Sequence, residues 1–318
     1  MPNNRLNTKS IMYRMLNFMS KQPLPLTRVF ARLLALMTYR TSLAKVTRVA
    51  SLNIHIALPE RTAEDRQYII KKAIQYELTS YFEFFNVWGA SNEKNIQRIH
   101  NIEGEDIFQK ALATQKGLIL IVPHFGTWEI MNAWCAQYTK MTIMYKPIKN
   151  KDADIFVRSA RSRENATLVP TDEHGIRQIF KALKQGGTTV ILPDHTPHAG
   201  GAMVNYFGIP LASSHLTTKL IQKTQATALF LYTIRNTNGG FDLYIQAMPN
   251  GIYDCPDNQG TLIIHQQIEA LIQKHPEHYH WSYKRFRAHP ELHDIYDIAP
   301  RDALVKVQQV RLKNKSPI

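Results

Sequence analysis

The sequence predicts an α/β fold, a mixed, mostly parallel sheet covered by helices on both faces, with an N-terminal amphipathic, membrane-associated helix in front of it. Three observations carry this. From Ile102 onward, short apolar runs alternate with amphipathic stretches, the texture of strands exchanging with helices. Gly117-Leu-Ile-Leu-Ile-Val-Pro123 is apolar without interruption and β-branched, as a strand buried on both faces must be. Residues 24–40, LPLTRVFARLLALMTYR, form a largely apolar run interrupted by Arg28 and Arg32, which are four apart and share one face of a helix.

Three units follow: residues 1–50 as an N-terminal membrane-anchoring appendage, 51–302 as the main domain and 303–318 as a basic tail, frayed or lipid-facing. No run reaches the roughly 18 apolar residues of a spanning helix. With Leu26, Val29, Phe30, Leu33, Leu36 and Met37 filling the rest of its surface, segment 24–40 reads as a helix lying in an interface. A tilted span and a helix packed on the domain's own core are the alternatives. Arg14, Lys21, Arg40, Lys45 and Arg48 flank it, each contributing on the order of 1 kcal/mol near an anionic leaflet. No small-residue cleavage site follows the apolar part, which disfavours a signal peptide.

Asn53 to Pro59 ends the appendage, and Thr62-Ala-Glu-Asp caps a helix running to about Val87 with an apolar stripe of ordinary core type. Beyond the strand at 117–123 come a helix over 127–137, a strand over 141–145, a helix over 152–164 and a short strand over 167–170. A helix over 175–184 closes on Gln185-Gly-Gly187 and leads to a strand over 188–193. A helix over 214–225, a strand pair over 228–235 and 241–247, and a helix over 261–274 complete the domain.

Lys and Arg number 39 against 25 Asp and Glu, leaving a net charge of +14. Nucleic acid, an anionic membrane face, phosphorylated substrates and an acidic carrier all suit that sign, and so does plain solubility. No nucleic-acid motif accompanies the charge, so no nucleic-acid partner is expected. Cys135 and Cys255 lack C-x-x-C spacing, which disfavours a disulfide framework or zinc site.

In an open α/β sheet, ligands bind at the carboxyl ends of the strands. Pro123-His-Phe-Gly-Thr-Trp-Glu129 and Leu192-Pro-Asp-His-Thr-Pro197 both fall there. His124 in the strand-to-helix turn suits a general base, and Glu129 on the first helical turn suits the carboxylate that fixes its tautomer. A hydrogen-bonded structural histidine is the bland alternative. H-E-x-x-H, G-x-S-x-G, G-x-G-x-x-G and the P-loop pattern are all absent, so neither metal nor cofactor is expected and what remains is a base activating an external hydroxyl. Lys146, Arg158, Arg161 and Arg163 are cations for a phosphate or carbonyl, or a solvated basic face. Asp194 and His195 either line the crevice or cap a helix. The cluster His278 to Phe286 is a lipid-facing lip, a channel wall or packing.

At these residues the chain resembles the bacterial lipid A biosynthesis acyltransferases, the late lauroyl and myristoyl transferases. The resemblance runs from about Leu52 to Phe286 on NIHIALPE (53–60), GLILIVPHFGTWE (117–129), MYKP (144–147), RSARSR (158–163), LPDH (192–195), YFGIP (206–210) and HYHWSYKRFR (278–287). It implies His124 as base with Glu129 as partner, Arg161 and Asp194 contributing, and a fold like the glycerolipid acyltransferases. It also implies an acyl carrier protein thioester as donor, a lipid A precursor as acceptor, and residence on the cytoplasmic face of the inner membrane. Two departures stand out: a less plainly hydrophobic N-terminal anchor, and Asn165 where glycine is common.

Overall fold

The computed structural model describes residues 10–40, 44–197 and 201–315. Four helices open the chain: α1 (Ile11–Ser20), α2 (Leu24–Arg40), α3 (Ala44–Ala57) and α4 (Ala63–Gly89). Thr62 caps α4 by accepting from the Asp65 N–H, as its sequence predicts. Asn53 to Ala57 form the end of α3, and position 50 falls inside that helix. Leu52, Ile54 and Ile56 are buried in the main core, which ties α3 to the domain that follows.

Next come α5 (Asn92–Gln97), β1 (Ile99–Glu103), α6 (Glu105–Ala113), β2 (Leu118–Ile121), α7 (Ile130–Cys135), β3 (Met141–Met144), α8 (Lys151–Arg163), β4 (Thr167–Val169), α9 (Glu173–Lys184) and β5 (Thr188–Ile191). After a hairpin of β6 (Ala202–Tyr206) and β7 (Ile209–Ser213), α10 (Leu216–Thr224), β8 (Thr227–Arg235), β9 (Phe241–Ala247), α11 (Asp257–Lys274) and α12 (Pro300–Lys315) complete the chain. Seven strands form one sheet in the order β1-β9-β8-β2-β5-β3-β4, parallel at every pairing except β8 with β9. The predicted mostly parallel α/β sheet is therefore present.

Central β2 shows how both faces are covered. Ile119 and Ile121 enter a cluster with residues of α3, α4, α9, α10 and α11, while Leu118, Leu120 and Val122 join Phe108 of α6 and Met131 and Trp134 of α7. A strand that must satisfy two apolar layers has no polar side to show, which is why this run is continuous in sequence.

Two regions differ from expectation. The described part of the tail after Ala303 is a packed helix and not frayed: Ala303, Val307 and Val310 are buried on it. Its cations are also engaged, Arg311 donating to the Ile56 and Phe207 carbonyls and Lys306 to Asp294. The β6–β7 hairpin was not foreseen. Phe207 and Gly208 both take positive φ, as a two-residue turn matching strand twist requires, and Glu269 accepts the Phe207 N–H at 2.7 Å.

Among the described residues no helix is long and apolar enough to cross a membrane. Helix α2 does form over the expected span, with Arg28 turned inward and Arg32 exposed. Arg28 is buried on Glu83 of α4, whereas Leu26, Val29, Phe30, Leu33, Leu36 and Met37 are each half or more exposed.

Candidate active site

Strands β2 and β5 are neighbours in register, with Ile121 opposite Ile191. Each then runs through one apolar residue into a proline, which has no N–H to continue the ladder. His124 and Asp194 thus each follow the paired residues by three positions, and they meet: His124 Nδ1 lies 2.8 Å from Asp194 Oδ1, and the His124 backbone N–H donates to Oδ2 at 3.1 Å. Tyr279 also donates to Oδ2, at 3.1 Å. Burial raises the Asp194 carboxyl, but the neighbouring His124 charge and hydrogen bonds outweigh it and hold the group below the usual carboxylate range.

An ionised carboxylate only accepts, so it places the imidazole proton on Nδ1. The Nε2 atom is left as a base, and among the described residues it has no hydrogen-bond partner in the protein. The side chain is 19% exposed, in a turn whose other residues, Trp128 apart, are buried. His195 stacks flat on the His124 ring at 3.7 Å, and Tyr283 on His195 at 3.7 Å. Burial first, then the charge of His124, lowers His195 to about 4, so this second imidazole is neutral at pH 7. The atoms of His124, Asp194 and His195 also lie close enough for a metal ion, but Nδ1 is already committed to Asp194.

A segment far along the chain braces the turn. Phe125 and Tyr279 form an isolated antiparallel bridge, the Gly126 N–H donates to the His278 carbonyl, and the His280 N–H donates to the His124 carbonyl. The His280 ring closes the frame, its Nε2 3.1 Å from the Gly126 carbonyl, with burial lowering that imidazole to about 3. Gly126 has φ +56°, and a Cβ there would sit 2.5 Å from the Thr233 carbonyl oxygen, so only glycine fits. Within residues 278–286, His278, Tyr279, His280, Trp281, Arg285 and Phe286 are buried, whereas Ser282, Tyr283 and Lys284 are partly exposed.

Glu129 does not touch His124; the carboxylate on that imidazole is Asp194. Glu129 instead meets Arg161, whose Nη2 lies 2.8 Å from Oε1 and 2.7 Å from Oε2, and it accepts from Trp88 Nε1 at 2.9 Å and Asn132 Nδ2 at 3.3 Å. Arg161 Nη1 reaches Glu164 at 2.9 Å. Burial would lower the Arg161 guanidinium, but Glu129 and Glu164 together raise it; burial and the charge of Glu129 push Glu164 up to about 7. Two groups thus assemble, His124 with Asp194 and Glu129 with Arg161. The remaining cations stand outside them: Arg158 pairs with Asp154 and covers the Tyr145 ring, Arg163 donates to the Trp88 carbonyl, and Lys146 is exposed just beyond β3.

His124 lines a cleft of about 420 Å³ with His195, Tyr283, Tyr81, Phe84, Trp88, Trp128, His280 and Ser282. Its aromatic walls suit an apolar chain. Ser282 is the cleft's one hydroxyl on a serine, and it donates to Glu77. Cys135 is fully buried, and burial pushes its thiol up, so it is no nucleophile. The sequence singled out Asp194 but not its pairing with His124, for which the signal is that VPH and LPD stand at the same distance from two apolar runs.

Residues 6–288 match the family model described as bacterial lipid A biosynthesis acyltransferase. The chain belongs to that family. Its relatives include a lipid A biosynthesis palmitoleoyltransferase of Escherichia coli K12, 22% identical over 79% of this chain and 82% of the relative. A lipid A biosynthesis acyltransferase of Haemophilus influenzae is 24% identical over 78% of each, and a lauroyltransferase of Escherichia coli K12 is 22% identical over 77% of this chain and 80% of the relative. The matched span takes in both components of each pair, and in this lipid A acyltransferase it ends just past the bracing segment.

Proposed function

We propose that the chain moves a fatty acyl chain of the lauroyl or myristoyl class from an acyl carrier protein thioester to a hydroxyl of a hydroxyacyl chain on a lipid A precursor. The observation that carries this reading is the His124 imidazole, protonated at Nδ1 by its bond to Asp194 and presenting an unengaged Nε2 to an aromatic cleft. Nε2 takes the acceptor's hydroxyl proton as its oxygen attacks the thioester carbon; the C–O bond forms, the C–S bond breaks, and the imidazolium returns the proton to the departing thiolate. Asp194 steadies the imidazolium. A base placed in this way contributes about 10²- to 10⁴-fold. With the cleft's serine hydroxyl donating to Glu77 and no cysteine among its described lining residues, the transfer is direct, without an acyl-enzyme.

Glu129 and Arg161 fix each other behind the cleft wall that Trp88 forms, while exposed Arg158, Arg163 and Lys146 face the acceptor's phosphates. The outward apolar face of α2 rests on the cytoplasmic face of the inner membrane; each of its half-exposed side chains gains on the order of 1 kcal/mol by entering lipid. The test is an assay of purified protein with a series of acyl carrier thioesters and defined lipid A precursors. Transfer is expected with wild type and lost with His124→Ala; transfer undiminished in that variant refutes the assigned base. Unchanged lipid A acylation in cells lacking the gene, read by mass spectrometry, excludes the acceptor.

A further inference from the structure

Away from the cleft, a second cavity of about 320 Å³ opens between α2, α4 and the turn joining β8 to β9. Three arginines line it, Arg28, Arg32 and Arg235, and no acidic side chain does. Two of them share one buried carboxylate: Arg28 Nε lies 2.6 Å from Glu83 Oε1, and Arg235 Nε 2.8 Å from Oε2. Arg28 is only 9% exposed and also donates to the Gly239 carbonyl, yet its Nη2 is buried without a hydrogen-bond partner. Arg235 is in the same position: it donates to the Tyr76 carbonyl, Ser80 and Thr127, and its Nη1 has no partner. Arg32, one turn beyond Arg28, stands exposed at the mouth. Three guanidinium groups against one carboxylate leave a surplus of two positive charges at the cavity, with two partnerless N–H groups buried on the same arginines, and such a surplus is costly unless an anion offsets it.

We propose that this cavity is an anion site that takes the phosphate group of a lipid. The guanidinium fork matches phosphate oxygens in pairs. The lipid assignment comes from α2 itself, whose exposed Val29, Leu33 and Leu36 continue outward from the same helix that supplies Arg28 and Arg32, so a phosphate held here has an apolar surface beside it for its chains. Arg235 links the site to the turn that carries His124, through Thr127 at 3.1 Å.

The site is tested by binding alone, so its fate is separate from that of the transfer reaction. Titration of the full chain with inorganic phosphate, at ionic strength held constant with chloride, is expected to saturate. Arg32→Ala and Thr237→Glu, both at exposed positions that leave the Glu83 network intact, are expected to weaken phosphate by about tenfold or more while circular dichroism and melting stay as in wild type. Linear, unsaturating heat in wild type, or equal affinity in both variants, overturns the site. Two soluble competitors then identify the source: glucosamine 1-phosphate displacing phosphate points to a sugar phosphate of the acceptor, and glycerophosphoglycerol to a phospholipid headgroup. Displacement by neither overturns the lipid assignment.

Discussion

Two charged groups stand near one cleft and are built on opposite plans. His124 and Asp194 leave one nitrogen unengaged and partly exposed, so a proton can come and go. Glu129, Arg161 and Glu164 form a buried triad in which both Nη atoms of the arginine are committed to carboxylates. The first arrangement suits chemistry and the second suits holding a wall in place. Sequence spacing had joined His124 to Glu129; the difference teaches that an acid close in sequence loses to one brought in by strand register.

The largest expected effect that would break this contrast is His124→Ala, which should lower kcat by at least about 10³-fold in the transfer assay. The fold should survive, since Asp194 keeps the backbone N–H of residue 124 and the Tyr279 hydroxyl. Asp194→Asn comes next: it frees the imidazole's tautomer, and kcat is expected to fall by about 10²- to 10³-fold with little change in KM. For the triad, Arg161→Ala strands two buried carboxylates, and urea unfolding should register a loss of about 3–5 kcal/mol; a loss of activity at unchanged stability would put the arginine in the chemistry instead.

Acid and base should separate the two groups further. His195 is held near 4, below its ordinary 6.5, so the stability it lends is present above pH 6.5 and is lost as pH falls toward 4. Glu164 is held near 7, above its ordinary 4.5, so its contribution is present below 4.5 and is lost as pH rises through 7. His195→Phe, which keeps the stack, should lessen the slope of the acid limb of stability against pH that it shares with His280, and Glu164→Gln the slope from 4.5 to 7; denaturant midpoints across pH 4 to 8 would show either slope unchanged if the assignments are wrong. The smallest effect is Tyr279→Phe, expected to cost about 1 kcal/mol of stability, measured the same way, and a modest part of kcat.

Much of the α/β domain was legible because buried parallel strands announce themselves. The strand pair at 228–235 and 241–247 falls within a residue of its predicted limits, and the run ending at Pro123 within two. What escaped was set by contacts between distant segments. The bracing of the His124 turn by residues 278–280 depends on a bridge across about 150 positions, and no local pattern encodes it. Nor did the apolar stripe of α4 reveal Glu77 and Glu83, buried acids that hold Ser282 and two arginines, because polar residues on a helix ordinarily face water. The tail misled for the converse reason: its lysines and arginines masked the spacing of Ala303, Val307 and Val310, which is that of a packed helix.

The register of β2 against β5 has a consequence for how activity appears during folding. Imidazole and carboxylate ride on strands that join segments some seventy residues apart, and pairings of such long sequence separation close late. A chain with its helices formed but these strands unzipped therefore owns every reactive atom and no catalyst. A slip of one residue would turn one partner to the opposite side of the sheet. On the proposed mechanism, turnover is thus a gauge of whether the centre of the sheet has closed true, and refolding followed by acyl transfer should lag behind refolding followed by helical signal.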